Sequence, residues 1–303
     1  MAISAKDVQK LREMTGVGMM DCKKALTETD GDFDKAVEWL REKGLAASAK
    51  KAGRIAAEGM AYAGVIDGVG VVVEVNAETD FVGKNEKFVD FVKGVAATVA
   101  ACAPADLDAL MECKYNGTDL TVTQQQQEMV LVIGENIKVR RFARFADGVS
   151  VPYIHAGGKI GVLVNLEVTG GIDATEIGKD LAMQIAALNP RFLDKSQVTQ
   201  DVLDGEKKIQ LAQMANDPKM ANKPDKVKEN IVAGKLNKFY AENCLLQQSF
   251  VKDGDVTVEQ YMNAAAKKLG GAVTLKDAVR FEKGEGIEKK QENFADEIAK
   301  LTQ

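Results

Sequence analysis

The sequence is poor in the residues that most enzymes use for catalysis and metal binding. It has one histidine, His155, so no catalytic group can be built around a second one, and a lone histidine in a Gly-rich turn more often forms local hydrogen bonds. The phosphate-binding patterns GxxxxGK(S/T) and GxGxxG before a helix are also absent. The four cysteines form no CxxC pair, which argues against zinc and is typical of reduced thiols in a cytosolic protein. We therefore expect no metal, no cofactor and no covalent catalysis.

Other absences concern partners and location. No block of Lys and Arg is interleaved with aromatic residues and the net charge is −5, so we expect no nucleic-acid binding. No window approaches the ~20 apolar residues of a membrane span, and the first residues lack the apolar core of a signal peptide. These features predict a soluble, cytoplasmic protein that does not bind membranes. An acidic surface fits a protein partner or one with basic patches, and charge alone does not choose between them.

Residues 1–55 predict a small helical module followed by a linker. Ser4 is typical of a helix start, and a second helix is expected to begin at Met19. A third helix carries an apolar stripe and is expected to end at Gly44, because glycine is common at helix C-caps. The Ala-rich, basic stretch 45–60 has few large apolar groups and is interpreted as a linker that is at most partly helical.

An internal repeat organises the rest of the chain. In each copy a tyrosine precedes a glycine by eight residues and a run of β-branched residues follows. The paired positions are Tyr62 with Gly70 and Tyr153 with Gly161. Each copy predicts a hairpin, then an amphipathic helix, then a further strand. The sequence therefore predicts an α+β fold with two duplicated halves, residues 56–145 and 146–283, each with a small antiparallel sheet.

The second half contains a polar insertion at about 195–239 with a thin apolar seam. A projecting antiparallel helical hairpin needs only such a narrow stripe, whereas two helices lying on the body would need a wider one. The pattern favours the projecting hairpin and leaves the other arrangement open. The last part of the chain, 284–303, predicts a C-terminal helix.

Two places have side chains whose exposure the pattern leaves open. The stretch NAETDFVGKN, residues 76–85, follows a predicted buried strand and places Phe81 beside Asp80. In one interpretation, which the residues alone favour, Asp80 is a cap or turn residue near the start of the next helix and Phe81 folds back onto the core. In the other, Phe81 is exposed and anchors a partner. Met19 and Met20 cannot both face a small core, so at least one is expected to be exposed, either incidentally or as a surface that binds helices.

Six stretches of the sequence closely resemble those of the bacterial translation elongation factor Ts family. They are LREMTGVGMMDCKKAL from Leu11, EVNAETDFVGKN from Glu74, IGENIKVRR from Ile133, YIHAGGKIGVLV from Tyr153, AGKLNKFYAENCLLQQSFVKD from Ala233 and RFEKGEGIEKK from Arg280. In order and spacing they cover essentially the whole chain. The resemblance implies an N-terminal three-helix module of ubiquitin-associated type, a duplicated α+β core, a projecting helical hairpin and a C-terminal helical module.

The resemblance also implies a function that composition does not. Members of this family are guanine-nucleotide exchange factors for the GTPase elongation factor Tu, and they release GDP without covalent chemistry. The loop expected to approach the GTPase's Mg²⁺ and phosphates consists of Thr79, Asp80, Phe81 and Val82. Further contacts with the GTPase are implied at Arg12, Met19, Met20, Ile133 and His155. The family includes one-to-one complexes and dimers of heterodimers, so homodimerisation through the core stays open.

Two residues depart from the family pattern. Ala77 stands where Ser, Cys or Val is usual, and Gly83 stands where Ser or Ala is usual. We expect Gly83 to loosen the loop, since glycine adds backbone freedom. Two other functions are alternatives: a binding or chaperone-like module without exchange activity, and a hydrolase or transferase, which the lone histidine and the missing motifs disfavour. Release of labelled GDP separates exchange from binding alone.

Overall fold

The protein has a mixed α+β fold with small antiparallel sheets, as the sequence predicts. A computed structural model describes residues 3–217, 220 and 223–288. Most of the predicted C-terminal helix at 284–303 lies outside the described residues. Within the described part of the chain, no helix is both long and apolar enough to cross a membrane.

The first three helices form a module around their own apolar core. They are α1 Ala5–Thr15, α2 Met19–Glu28 and α3 Phe33–Lys51. The predicted start at Ser4 is confirmed: its hydroxyl accepts from the Asp7 amide, and the Asp7 carboxylate accepts from the Ser4 amide, which forms a capping box. The buried side chains of the module are Val8, Leu11, Val17, Cys22, Ala25, Leu26, Ala36 and Leu40.

The predicted end of the third helix at Gly44 is wrong. Helix α3 runs on to Lys51, so the first part of the expected linker is helical. Gly44 is buried where α3 crosses α6, Val122–Ile133, and a Cβ there would lie 3.3 Å from the Gln127 carbonyl oxygen. The glycine therefore permits a close helix crossing and does not terminate the helix.

Two similar halves follow the module, as the repeat predicts. The first half contains β1 Glu58–Ile66, β2 Val69–Ala77, α4 Glu86–Cys102, α5 Leu107–Glu112, α6 and β3 Lys138–Phe145. The second half begins with β4 Val149–His155, β5 Ile160–Thr169 and α7 Thr175–Leu188. The sheet orders are β1-β2-β3 and β4-β5-β8, where β8 is Ala272–Glu282, and all pairings are antiparallel. Each half buries its own apolar core between its sheet and its helices.

The repeated glycines lie where the two sheets pack against each other. A Cβ on Gly161 would lie 3.0 Å from the Ala61 carbonyl oxygen, and one on Gly70 would overlap Ser150. Small side chains around them, including Ala63, allow the sheets to approach closely. The matching positions in the two copies thus serve the same contact.

The insertion forms two helices that pack against each other. They are α8 Gln200–Asn216 and α9 Asp225–Asn243, and as predicted they form an antiparallel pair. An apolar cluster that includes Phe192, Val198 and Phe239 lies at the base of the pair. After it come elements that the sequence did not predict, β6 Ser249–Phe250, β7 Asp253–Thr257 and α10 Val258–Leu269.

A buried carboxylate joins the first half to the end of the last strand. Glu74 lies in β2 and is fully buried, and its Oε1 accepts hydrogen bonds from Arg140 Nη1 at 2.9 Å and from the Gly284 amide at 2.8 Å. Its Oε2 accepts from Arg141 Nε at 2.5 Å. Asn76 Nδ2 also donates to Oε1, at 3.0 Å. We call Glu74, Asn76, Arg140, Arg141 and Gly284 the Glu74 cluster.

The charge of Glu74 is stabilised inside the protein. Burial raises the pKa of this carboxyl, but the hydrogen bonds from Asn76, Gly284, Arg140 and Arg141 outweigh it and hold the pKa below its usual value. A buried charge is tolerated only when it is paired and hydrogen-bonded, and this one is. The Glu74 cluster therefore fixes residues 282–285, which follow β8, against the sheet of the first half.

Candidate functional site

The loop between β2 and α4 places a large aromatic ring in solvent. Val82 begins a 3₁₀ turn, Val82–Lys84, and its side chain is buried in the core of the first half. The preceding residue, Phe81, is 80% exposed. Because Val82 anchors the backbone, the ring one residue earlier points outward.

The interpretation that the residues alone favour is therefore wrong for Phe81, whose ring does not fold back onto the core. Asn85 caps α4, with its side-chain oxygen accepting from the Lys87 amide at 3.0 Å, so Asp80 is not the cap; it lies in the turn before the helix, which was the other possibility. The Asp80 carboxylate is exposed and makes no hydrogen bond or ion pair to any residue that the structure describes. Neither Phe81 nor Asp80 contributes to the fold in the way that a capping motif would.

The residues just before Asp80 are held firmly by the segment after α6. The amide of Thr79 donates to Glu135 Oε2 at 2.9 Å, and its hydroxyl donates to Glu135 Oε1 at 2.7 Å. Glu78 Oε1 accepts from the Asn136 amide at 2.6 Å. The exposed pair of Asp80 and Phe81 is thus fixed on one side by Glu135 and on the other by Val82.

Replacing Glu135 by alanine is expected to free this loop without unfolding the protein. Two hydrogen bonds to a carboxylate are lost, which should lower the local opening free energy at Thr79 by about 1–2 kcal/mol and speed exchange of its amide hydrogen roughly 5- to 30-fold. Hydrogen exchange read by NMR measures this. Glu128→Ala is the matched control, since Glu128 lies on α6 but pairs with Arg41. Equal exchange in the two variants would contradict the role of Glu135.

Gly83 has a packing role that the sequence did not predict. Gly83 is buried in the 3₁₀ turn, where a Cβ would lie only 2.8 Å from the carbonyl oxygen of Gly59 in β1. The missing side chain therefore lets the turn pack directly on the strand, and the backbone freedom of glycine is not used there.

The N-terminal module meets the same end of the first half. Lys87, in the first turn of α4, donates from Nζ to the Gly16 carbonyl oxygen at 3.2 Å. Arg12, Met19, Gly16 and Lys87 line one depression. Both methionines are exposed, Met19 at 39% and Met20 at 77%, where the sequence required only one. The exposed methionines and the Phe81 loop are thus connected through α4.

His155 and Ile133 have different environments. His155 is exposed at the end of β4, and its Nδ1 lies 3.1 Å from the Tyr153 hydroxyl oxygen, the local hydrogen bond expected of a lone histidine. Gly158, in the turn that follows, accepts from the Ala61 amide at 2.8 Å, so this turn lies at the end of β1 near Gly59. Ile133 is half-buried at the end of α6 and packs against the core of the first half.

Most residues singled out in the sequence thus lie at one end of the molecule, and Ile133 is the member that mainly packs inward. Sequence reasoning missed Glu135 and Lys87, which fix the loop and the module. Glu135 lies in the stretch IGENIKVRR, and its distance from Thr79 along the chain hides the contact. Among residues 3–217, 220 and 223–288, no three His, Cys, Asp or Glu side chains form a group that could hold a metal ion.

Comparisons with known proteins agree on one family. A family model described as elongation factor TS matches residues 78–285. Elongation factor Ts of Syntrophotalea carbinolica is 48% identical over 307 residues, with 100% of each chain covered. Elongation factor Ts of Trichlorobacter lovleyi is 50% identical over 309 residues, covering 99% of this chain and 98% of the relative. Elongation factor Ts of Clostridium botulinum, strain Eklund 17B, is 48% identical with 98% of each chain covered.

Proposed function

The chain belongs to the elongation factor Ts family of translation factors, and from this we propose that it is the guanine-nucleotide exchange factor of elongation factor Tu. In this proposal it binds the GTPase and promotes release of GDP without covalent chemistry. The observation that carries the proposal is the exposed Asp80–Phe81 pair on a loop fixed on both sides. A fixed aromatic ring in solvent is the kind of anchor that dominates binding energy in protein interfaces.

The proposed action of the loop follows from its chemistry. A ring inserted between elements of the GTPase stabilises a conformation that holds GDP poorly. The Asp80 carboxylate, which has no cation of its own among the described residues, brings negative charge close to the Mg²⁺ and phosphates of the partner's site. Mg²⁺ neutralises the phosphate oxygens in such GTPase sites, so a carboxylate that disturbs it weakens nucleotide binding.

The coupling between partner and nucleotide must be reciprocal. If the exchange factor lowers the affinity of the GTPase for GDP, then GDP lowers its affinity for the exchange factor by the same factor. Couplings of this kind amount to roughly 5- to 150-fold. The fixed loop strengthens binding of the exchange factor, because little conformational entropy is lost when the loop binds.

Further contacts are proposed around this loop. Arg12, Met19 and Met20 would dock on the nucleotide-binding domain of the GTPase, with the methionines adapting to a helical surface. His155 would meet a second domain, and Ile133 would support that contact from within the core. The proposed divisions are residues 1–55 for the N-terminal module, 56–145 and 146–283 for the two halves, and 284–303 for the C-terminal module. We place the protein in the cytoplasm, where translation elongation occurs.

The test is release of labelled GDP from elongation factor Tu, measured by stopped flow with and without this protein. We expect stoichiometric protein to accelerate release strongly and excess GDP to weaken the complex. A complex that forms without acceleration would instead support a binding or chaperone-like module. Absence of a complex would contradict both functions.

A further inference from the structure

Two cysteines that are separate in the sequence lie together at the far end of α4. Cys102 is the last residue of α4, and Cys113 follows directly after α5. The chain turns at Ala103, whose φ of 48° lies in the left-handed region. The other two cysteines, Cys22 and Cys244, are buried in different parts of the fold.

Contacts one helical turn earlier fix the approach of the two cysteines. The amide of Asn116 donates to the Thr98 hydroxyl at 2.9 Å, so the chain after α5 runs back along α4. Cys102 lies one helical turn after Thr98 on α4, and Cys113 lies three residues before Asn116 in the chain. The register of the two segments therefore places Cys102 and Cys113 beside each other.

The accessibility of the two thiols differs. Cys102 is exposed and Cys113 is half-buried. Burial and the neighbouring Cys102 thiol raise the pKa of Cys113 to about 11. Because the thiolate is the reactive form, the exposed Cys102 is the thiol that meets a reagent from solution first.

We propose that Cys102 and Cys113 form a dithiol site that reacts with low-molecular-weight disulfides, such as oxidised glutathione, and closes to a reversible intramolecular disulfide. The register of the two segments and the exposure of Cys102 support this assignment. It is independent of the proposed exchange function, since the site lies at the opposite end of α4 from Phe81.

The reaction is ordinary thiol–disulfide exchange. The Cys102 thiolate attacks one sulfur of oxidised glutathione, forms a mixed disulfide and releases one glutathione thiolate. The Cys113 thiolate then attacks the Cys102 sulfur, and the second glutathione leaves. The two protein thiols supply two electrons and two protons, which end on two molecules of reduced glutathione. A reducing cytosol keeps both thiols reduced, so the disulfide is expected under oxidising conditions.

The test equilibrates the full-length protein with mixtures of reduced and oxidised glutathione, followed by acid quenching and non-reducing peptide mapping. The expected product is a single bridge between Cys102 and Cys113, with the loss of two hydrogens and no bound glutathione. Reduction should restore both thiols. A stable glutathione adduct on Cys102 without the bridge, or no reaction at either cysteine, would overturn the proposal.

Serine variants separate the two roles. Cys113→Ser is expected to accumulate the mixed disulfide at Cys102, because the resolving thiol is gone. Cys102→Ser is expected to lose the bridge and most of the reaction. Cys22→Ser, at a buried and distant cysteine, is the matched control and should form the bridge as the parent protein does. Bridge formation to Cys22 or Cys244 in the parent protein would contradict the assigned pair.

Discussion

Replacing Glu74 by glutamine is expected to lower the free energy of unfolding by about 3 kcal/mol. The amide keeps the shape of the side chain but removes the buried charge that pairs with Arg140 and Arg141, so Arg140 loses this carboxylate partner and Arg141 keeps the more exposed Glu285. The amide of Gly284 also loses a charged acceptor. Urea unfolding measures the change, and faster hydrogen exchange at Gly284 should accompany it.

Glu285→Gln is the matched control for this variant. Glu285 also pairs with Arg141, at 3.0 Å, but its side chain is much more exposed than that of Glu74. An exposed ion pair contributes about 0–1 kcal/mol, so this variant should be nearly as stable as the parent protein. Similar stabilities of the two variants would show that the Glu74 cluster does not hold the halves together.

The dependence of stability on pH should show that Glu74 is charged in the folded protein. Since the pKa of Glu74 is lowered in the folded protein, the unfolded chain binds the proton more readily. The contribution of Glu74 is therefore complete above the unfolded glutamate pKa of about 4.3 and is lost as the pH falls through the lower, folded value. The stability difference between the parent protein and Glu74→Gln should be largest at neutral pH and shrink below about pH 4. A difference that is independent of pH would contradict the charged state of Glu74.

Replacing Phe81 by alanine is expected to slow the proposed GDP release from elongation factor Tu by roughly 30-fold, which corresponds to about 2 kcal/mol at an interface anchor. Stability should change by less than about 0.5 kcal/mol, because the ring is 80% exposed and leaves no cavity. Stopped-flow release of labelled GDP and urea unfolding measure the two effects separately.

Two further variants make the result specific. Val65→Ala removes an exposed apolar side chain from the edge strand β1, away from the loop, and should leave GDP release unchanged. Asp80→Asn keeps the size of the side chain and removes its charge, so it reports on the carboxylate alone. If Phe81→Ala exchanges at the parental rate while the parent protein is active, the ring is not the anchor, whatever the role of Asp80.

The sequence could predict the parts of the fold that depend on local pattern. The periodicity of apolar residues identified α4, α7 and the strands of the repeat, and the tyrosine–glycine spacing identified the duplication. The pattern failed at Gly44, because a helix that crosses another closely needs glycine as much as a helix end does. Glycine can end a helix or permit a close crossing of two helices, and only the position of α6 shows which of these Gly44 does.

The candidate site was less predictable, because its geometry depends on contacts between distant parts of the chain. The pattern of residues around Phe81 favours a buried ring, and only the family resemblance predicts an exposed one. Whether the ring is exposed depends on Val82 entering the core and on Glu135 holding Thr79. The Glu74 cluster likewise joins residues from three of the family-like stretches, and no periodicity could have paired them.

The helical run through Gly44 has a consequence for how the protein would engage its partner. A module on a flexible tether would search for its contact separately, and each binding event would lose entropy of its own. Here Lys51 Nζ bonds the Gly134 carbonyl oxygen at 2.6 Å, and Lys87 bonds Gly16, so the module and the loop are held at a fixed spacing. Binding at the methionines then presents Phe81 at a high effective concentration, and the two contacts behave as one chelating ligand.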